Sequence, residues 1–144
     1  MMPDAIAGTA RRGHAARLML AGAVLAGFAG PALALMPPYV YETARREAKS
    51  IIVIEVSKVD TPRREFGTCT VAGTVKVVER GEAFRPGQTV QLAVPCERQG
   101  ASPPLGGTIY QQMEKLAQSR FGRAWLDAEG KVVVSQYEQL AALP

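Results

Sequence analysis

Two cysteines, Cys69 and Cys96, limit the possible folds of this chain more than any other residues do. Each lies in a segment whose side chains alternate between apolar and polar, at residues 68–79 and 88–96. Alternation of this kind is typical of half-buried strands, and the intervening stretch 80–87 contains the Gly and Pro of a loop. The sequence therefore predicts an antiparallel hairpin.

A register that places Cys69 opposite Cys96 separates the apolar from the polar side chains of this hairpin. Directly opposed residues lie within disulfide reach, so we expect a structural Cys69–Cys96 bridge. Closing a loop of about 28 residues would stabilise the fold by roughly 3 to 4 kcal/mol. A redox-active pair would more naturally be a close Cys-x-x-Cys motif. The other residues of the apolar face would pair as Val71 with Val94, Gly73 with Leu92, and Val75 with Val90.

The opposite, polar face of the hairpin and the loop at 80–87 form the surface that the sequence predicts for contact with a partner protein. Loops on a rigid scaffold are free to vary for recognition. A solvated sheet face without a partner is the alternative interpretation. The residues of this predicted surface are Thr70, Thr74, Lys76, Phe84, Arg85, Thr89 and Gln91.

Residues 1–34 have the pattern of an export signal. Arg11, Arg12 and Arg17 precede a short apolar run at 18–28, and Pro-Ala-Leu-Ala at 31–34 ends in the small-x-small pattern that signal peptidases cut. The run of about eleven residues is shorter than the roughly 20 that span a bilayer. We expect a mature chain at 35–144, periplasmic or secreted and without a membrane span. An uncleaved anchor and a twin-arginine signal are the alternatives.

Removal of the signal changes which chemistries are available, because the single histidine, His14, goes with it. Without histidine the chain cannot build a Ser-His-Asp or Cys-His site, and it loses the usual general base near neutral pH. The 17 basic and 13 acidic residues of the whole chain fall to 14 and 12 once Arg11, Arg12, Arg17 and Asp4 are removed. A net charge of about +2 disfavours a nucleic-acid partner.

No pattern in the chain predicts catalysis, a metal or a cofactor, so we expect a binding protein and not an enzyme. Ordinary surface charge explains the candidate carboxylates better than catalysis does. There is no Asp-x-Asp-x-Asp loop, and Gly106-Gly107 lacks the Lys-Ser/Thr of a phosphate loop, although helix amides near Thr108 could hold an anion. The candidate carboxylates are Glu55, Asp60, Glu97 and Asp127.

The remaining segments predict three more strands and one or two helices. Residues 39–49 favour a short helix, and the consecutive apolar residues at 51–54 indicate a central strand buried on both faces. A helix should begin at Thr108, and a hairpin at 122–138 should turn at Gly130. Trp125 is expected in the core or at a barrel end, with a recognition groove as the alternative. The apolar stripe of the second helix would be Ile109, Met113, Leu116 and Ala117.

Five strands, with a helix between the third and fourth, follow the order of an OB-type barrel. The predicted fold is α+β, mainly β with one or two helices, forming a single five-stranded OB-like domain at 35–144. The mature chain resembles the netrin-like or tissue-inhibitor-of-metalloproteinase-like group of secreted OB domains over about residues 50–138. The resemblance rests on strand order, cysteine placement and the segments Glu79-Arg80-Gly81, Phe84-Arg85-Pro86-Gly87-Gln88-Thr89-Val90 and Pro95-Cys96.

This resemblance implies a module that binds an envelope or extracellular protein. In the inhibitor branch an N-terminal cysteine contacts the catalytic metal, but the mature chain would begin at Leu35 with no cysteine nearby, so that mechanism is not carried over. The competing class is oligosaccharide or oligonucleotide binding, which needs exposed aromatics along a basic groove. Clustering of Phe66 and Phe84 with Arg63 and Arg64 on one rim would favour it.

Overall fold

The computed structural model describes residues 36–144, and the predicted export signal at 1–34 and Leu35 lie outside the described residues. None of the helices between residues 36 and 144 is both long and apolar enough to cross a bilayer. In chain order the elements are α1 (Pro38–Glu47), β1 (Ser50–Asp60), β2 (Phe66–Arg80), β3 (Thr89–Glu97), β4 (Gln111–Gln112), α2 (Met113–Gln118), β5 (Phe121–Leu126) and β6 (Val132–Leu140).

These strands form one sheet that curls into a half-barrel, in the order β4-β3-β2-β1-β5-β6. Neighbouring strands are antiparallel except β3 and β4, which run parallel. The predicted class, mainly β with one or two helices, is confirmed, but the described chain has six strands and not five. The additional strand is β4, whose two residues pair with Cys96 and Glu97. A strand this short leaves no periodicity in the sequence.

The expected central strand is β1, which pairs with β2 on one side and β5 on the other. Ile52 and Ile54 belong to the main core cluster. Val53 lies between them on the other face and is also completely buried. The prediction of a central strand buried on both faces is therefore confirmed.

The β2–β3 hairpin is present, but its register lies two residues away from the expected one. Cys69 pairs with Val94, and Gly67 stands opposite Cys96. A shift of two residues keeps every side chain on its predicted face, because side chains alternate with a period of two. The Cys69–Cys96 disulfide joins diagonal neighbours whose Cα atoms are 5.8 Å apart. The prediction that Cys69 stands directly opposite Cys96 was wrong. It overlooked that diagonal neighbours also come within disulfide distance.

The second helix begins later than predicted. Thr108 does not start a helix; α2 starts at Met113 and has six residues. Met113 and Leu116 are buried as the predicted stripe requires, whereas Ile109 and Ala117 are exposed. The chain just before α2 pairs with β3, so a long-range backbone contact overrides the local helical pattern. The predicted anion site on helix amides near Thr108 is consequently not formed.

The C-terminal hairpin forms as predicted from β5, a tight turn and β6. The Asp127 carboxylate accepts the backbone N–H groups of Glu129, at 3.0 Å, and Lys131, at 2.8 Å. Gly130 has a φ of 79°. The turn therefore has the positive-φ glycine that the sequence predicted.

Tyr137 of β6 packs inside the half-barrel against Gly122 of β5. A Cβ atom at Gly122 would overlap the Tyr137 hydroxyl and ring, so β5 has no room for a larger residue here. Tyr137 is 5% exposed, and its hydroxyl has no hydrogen-bond partner within residues 36–144. Burial raises the pKa of Tyr137 from 10.0 to about 12.

Replacing Tyr137 with phenylalanine should stabilise the protein at neutral pH by about 1 kcal/mol, because the substitution removes a buried hydroxyl without a partner. In the wild type, the stability linked to this phenol is complete below pH 10 and is lost as the pH rises through the folded-state pKa of about 12. The wild type should lose about 2 to 3 kcal/mol more than Tyr137→Phe over that interval. Urea unfolding of both proteins across this pH range measures the difference. Parallel stability curves would contradict the burial of the phenol.

Candidate functional site

Helix α1 is attached to the sheet through an arginine at the end of β2. The Arg80 guanidinium donates hydrogen bonds to the carbonyl oxygens of Arg45, Arg46 and Ala48, at 2.9, 3.0 and 3.1 Å. Carbonyls at a helix C-terminus lack partners within the helix, and a cation there also complements the helix dipole. Arg80 therefore fixes the C-terminal end of α1, from which the Arg45 side chain extends.

An exposed apolar patch lies at the N-terminal end of the described chain. Met36 occupies the space where Gly107 would carry a Cβ, and the Tyr41 hydroxyl donates a 2.8 Å hydrogen bond to the Gly107 carbonyl. These contacts bring the segments 36–41 and 105–109 together although they are about 66 residues apart in sequence. We call the large exposed apolar side chains at this contact the apolar patch; they are Met36, Leu105 and Ile109, whereas the exposed Tyr39 lies on the opposite side of α1 from Tyr41.

Beside the apolar patch, the backbone of β6 departs from regular strand geometry. Val134 and Ser135 have φ values of 41° and 59°, in the left-handed region that residues other than glycine seldom occupy. The β5–β6 register is interrupted here, between Ala124 and Leu126. Two such residues in succession cost of order 1 to 3 kcal/mol each, and strain of this kind concentrates at functional sites.

The irregular segment of β6 positions Gln136 against α1. Gln136 is 2% exposed, donates a 2.9 Å hydrogen bond to the Val134 carbonyl, and accepts one from Arg45 Nε. The Arg45 guanidinium also stacks on the ring of Trp125, with its central carbon 5.0 Å from the ring centroid. Trp125 is half-buried. Three elements therefore hold one arginine side chain in a defined orientation.

A cleft of about 310 Å³ lies between β6 and the segment that leads into β4. Ile109 of the apolar patch and Arg45 both line it. Gln111 donates a 3.1 Å hydrogen bond to the Tyr137 carbonyl and accepts one of 2.8 Å from the Gln139 amide. Ile109 therefore belongs to both the apolar patch and this polar cleft, and we call the two together the α1–β6 face.

The surface that the sequence predicted lies on β2, β3 and their connecting loop. Lys76 is engaged in an ion pair of 2.8 Å with Glu55. The Phe84 ring is half-buried and packs against the core, whereas Arg85 is exposed. This surface stays a prediction as a contact site. Its remaining members lie on the outer face of the hairpin and are the half-buried Thr70 and Thr74 and the exposed Thr89 and Gln91.

The aromatic rim that would favour oligosaccharide or oligonucleotide binding is not assembled. Phe66 lies at the start of β2 and packs edge-on against Tyr110, with ring centroids 6.2 Å apart. Phe84 lies in the loop at the opposite end of the hairpin, near Gly130. The length of the β2–β3 ladder therefore separates the two rings, and no stacking platform joins them.

Three of the four candidate carboxylates have structural partners. Hydrogen bonds from Lys76 and Arg120 hold the pKa of Glu55 below its ordinary value. Asp60 pairs with Lys58 at 2.9 Å, and Asp127 organises the β5–β6 turn. Glu97 lies at the end of β3, where it pairs with β4. Within residues 36–144 no cluster of three His, Cys, Asp or Glu side chains has the geometry to hold a metal ion.

The α1–β6 face was missed in the sequence because its parts come from four separate segments. Residues 132–134 are three consecutive valines, a pattern that predicts a regular strand and gives no sign of positive φ. Arg45 belongs to an ordinary helical charge pattern. Trp125 was the one signal available, since a recognition groove was the alternative considered for it.

Comparison of this chain with protein-family models, with curated proteins and with solved structures found no match.

Proposed function

We propose that this chain is an exported, non-enzymatic module that binds another envelope or extracellular protein through the α1–β6 face. The observation that carries this proposal is the apolar patch. Leu105 and Met36 remain 71% and 42% exposed, and the contact of Met36 with Gly107 brings their two segments together. Exposed apolar side chains that are grouped and rimmed by polar residues mark protein interaction sites, whereas scattered ones do not.

The polar cleft beside the apolar patch supports the same proposal. Protein interfaces combine an apolar centre with a polar rim that forms hydrogen bonds. Here Arg45 and the amides of Gln111 and Gln139 supply that rim on one side of Ile109. Arginine and tyrosine are also frequent among the residues that dominate binding energy.

The chain architecture and the compartment are part of this proposal. The order β3-β2-β1-β5-β6, with α2 ahead of β5, supports an OB-type barrel in which β4 occupies part of the gap between β3 and β6. The Cys69–Cys96 disulfide is compatible with a periplasmic or extracellular location, because such bridges persist in oxidising compartments.

Site-specific photo-crosslinking in the native envelope tests the proposed function. A photoreactive phenylalanine analogue placed at Leu105 or Ile109 reports on the apolar patch. The same analogue at Thr89 or Gln91 reports on the outer face of the hairpin, which the sequence predicted. We expect one dominant protein adduct from Leu105 and Ile109 and none from the two hairpin positions.

Adducts from Thr89 and Gln91 but not from Leu105 or Ile109 would indicate that the partner contacts the outer face of the hairpin instead. No adduct at any of the four positions would contradict protein binding and favour a small ligand or glycan. All four positions are exposed, so the analogue should leave folding intact at each of them. Circular dichroism of each purified variant checks that condition.

A further inference from the structure

We propose that Arg45 receives a carboxylate group of the partner protein, adjacent to an apolar side chain that contacts the apolar patch. This inference rests on the proposed function and adds the chemistry of the partner. The carboxylate could belong to an Asp or Glu side chain or to a chain terminus. The guanidinium fork binds either source through two parallel hydrogen bonds.

The Arg45 guanidinium is already held in place by its neighbours. Its Nε donates to the buried Gln136 side chain, and its central carbon lies over the Trp125 ring. An arginine fixed in this way has given up much of its side-chain entropy before a ligand arrives. Binding to a pre-organised group costs less than binding to a mobile one.

The two terminal nitrogens of Arg45 have no partner within residues 36–144, where no carboxylate lies within 4.0 Å of them. Three arginines on or beside the strands have protein partners. Arg80 binds the end of α1, and Arg120 pairs with Glu55. Arg123 donates to Glu79 and Glu138, at 2.8 Å each. Arg45 differs from these three in having both terminal nitrogens available.

The charge balance of the cleft favours a single carboxylate. Among the described residues that line it, Arg45 is the one cation, and Glu138 is an anion already paired with Arg123. A polyanion such as a nucleic acid or a phosphorylated glycan would need several cations in one groove. One arginine beside amide groups matches one negative charge.

The geometry also places an apolar contact beside that charge. Ile109 lines the same cleft as Arg45 and belongs to the apolar patch. A partner segment whose carboxylate reaches Arg45 would consequently lay its neighbouring side chain over Ile109. Recognition of an acidic residue next to an apolar one follows from this juxtaposition.

Titration of the purified oxidised protein with small probes tests the inference without the partner. The probes are N-acetyl-leucine, with a terminal carboxylate, and N-acetyl-leucyl-aspartate amide, with a side-chain carboxylate only. The neutral controls are N-acetyl-leucine amide and N-acetyl-leucyl-asparagine amide. Trp125 is the only tryptophan of the chain, so its fluorescence reports on the site directly. Nitrogen-15 spectra follow Arg45 Nε–H and the Gln136 side-chain amide.

We expect at least one acidic probe to shift these signals and to bind about tenfold more tightly than its neutral control. Its affinity should fall as the ionic strength rises. The acidic probe that binds identifies the source of the carboxylate. Arg45→Lys keeps the charge but loses the fork, and it should weaken binding about tenfold. Arg46→Lys is the matched control, because Arg46 is the next residue on α1 and its side chain bonds only to Thr43 among the described residues.

Equal responses to acidic and neutral probes would overturn the inference, as would unchanged binding by Arg45→Lys or no response to any probe. These failures are distinct from failure of the proposed function. Crosslinks from Leu105 without a carboxylate response would leave protein binding in place and remove only the role of Arg45. The nitrogen-15 spectrum of Arg45→Lys checks that this variant is folded. If its peaks keep the wild-type dispersion, unfolding is excluded as the cause of a loss of probe binding.

Discussion

Removal of the disulfide by the double substitution Cys69→Ala, Cys96→Ala should lower the free energy of unfolding by about 3.5 kcal/mol. The bridge joins residues 27 apart in sequence, and its absence releases the loop-closure entropy of the unfolded chain. For a domain of this size the loss corresponds to a decrease in Tm of about 15 °C. Both cysteines are completely buried, so the small cavities left by alanine add to the effect. Urea and thermal unfolding measure it.

Chemical reduction of the wild-type protein is the control for those cavities. Reduction breaks the bridge and leaves both side chains in place, so it should reproduce most of the loss seen in the double variant. Equal stability of the oxidised and reduced proteins would contradict a stabilising role for the bridge. It would also mean that strand pairing and core packing alone stabilise the half-barrel.

Substitution of Gly122 by alanine should destabilise the protein by about 3 kcal/mol. The added methyl group would overlap the Tyr137 side chain, which is fully enclosed by the core and cannot move aside without displacing its neighbours. Inserting a carbon atom into a packed core costs about 1 to 3 kcal/mol, and overlap with a rigid aromatic ring places this site at the upper end. Denaturant unfolding of the variant gives the value directly.

Gly106→Ala is the matched control, because a Cβ there would meet nothing within 4 Å and the backbone does not require positive φ. Its stability should stay within about 0.5 kcal/mol of the wild type. Gly122→Ala should cost less in a Tyr137→Leu background than in the wild type, since the smaller side chain removes the overlap. A neutral effect of Gly122→Ala in the wild type, or an equal cost in both backgrounds, would contradict the packing of Tyr137 against β5.

The sequence was informative where local patterns and tertiary structure agree. Alternation in β2 and β3 predicted the hairpin, its buried face and the disulfide, because a period of two survives a shift of two residues. The consecutive apolar residues of β1 predicted that this strand lies at the centre of the sheet. Gly130 marked the last turn because few residues tolerate that φ.

The remainder depended on contacts between distant residues. The local helical pattern at 108–112 was overridden by the parallel pairing of Gln111 and Gln112 with β3. The positive φ values of Val134 and Ser135 run against the preferences of those residues and occur in the strand that packs beside α1. Arg45, Trp125 and Gln136 are each unremarkable in sequence. Their meeting point follows from the sheet order and from the contact between Arg80 and α1.

The most direct measurement of the central claim is the affinity of the protein captured at Leu105 for purified variants of the apolar patch. Leu105→Ser should weaken binding about thirtyfold, equivalent to about 2 kcal/mol, because burying a leucine side chain contributes about 1.5 to 3 kcal/mol. Leu143→Ser is the matched control, since Leu143 is a 44% exposed leucine outside the apolar patch. Its affinity should stay within about twofold of the wild type. Equal affinities for the wild type and Leu105→Ser, or equal losses in both variants, would contradict recognition through the α1–β6 face.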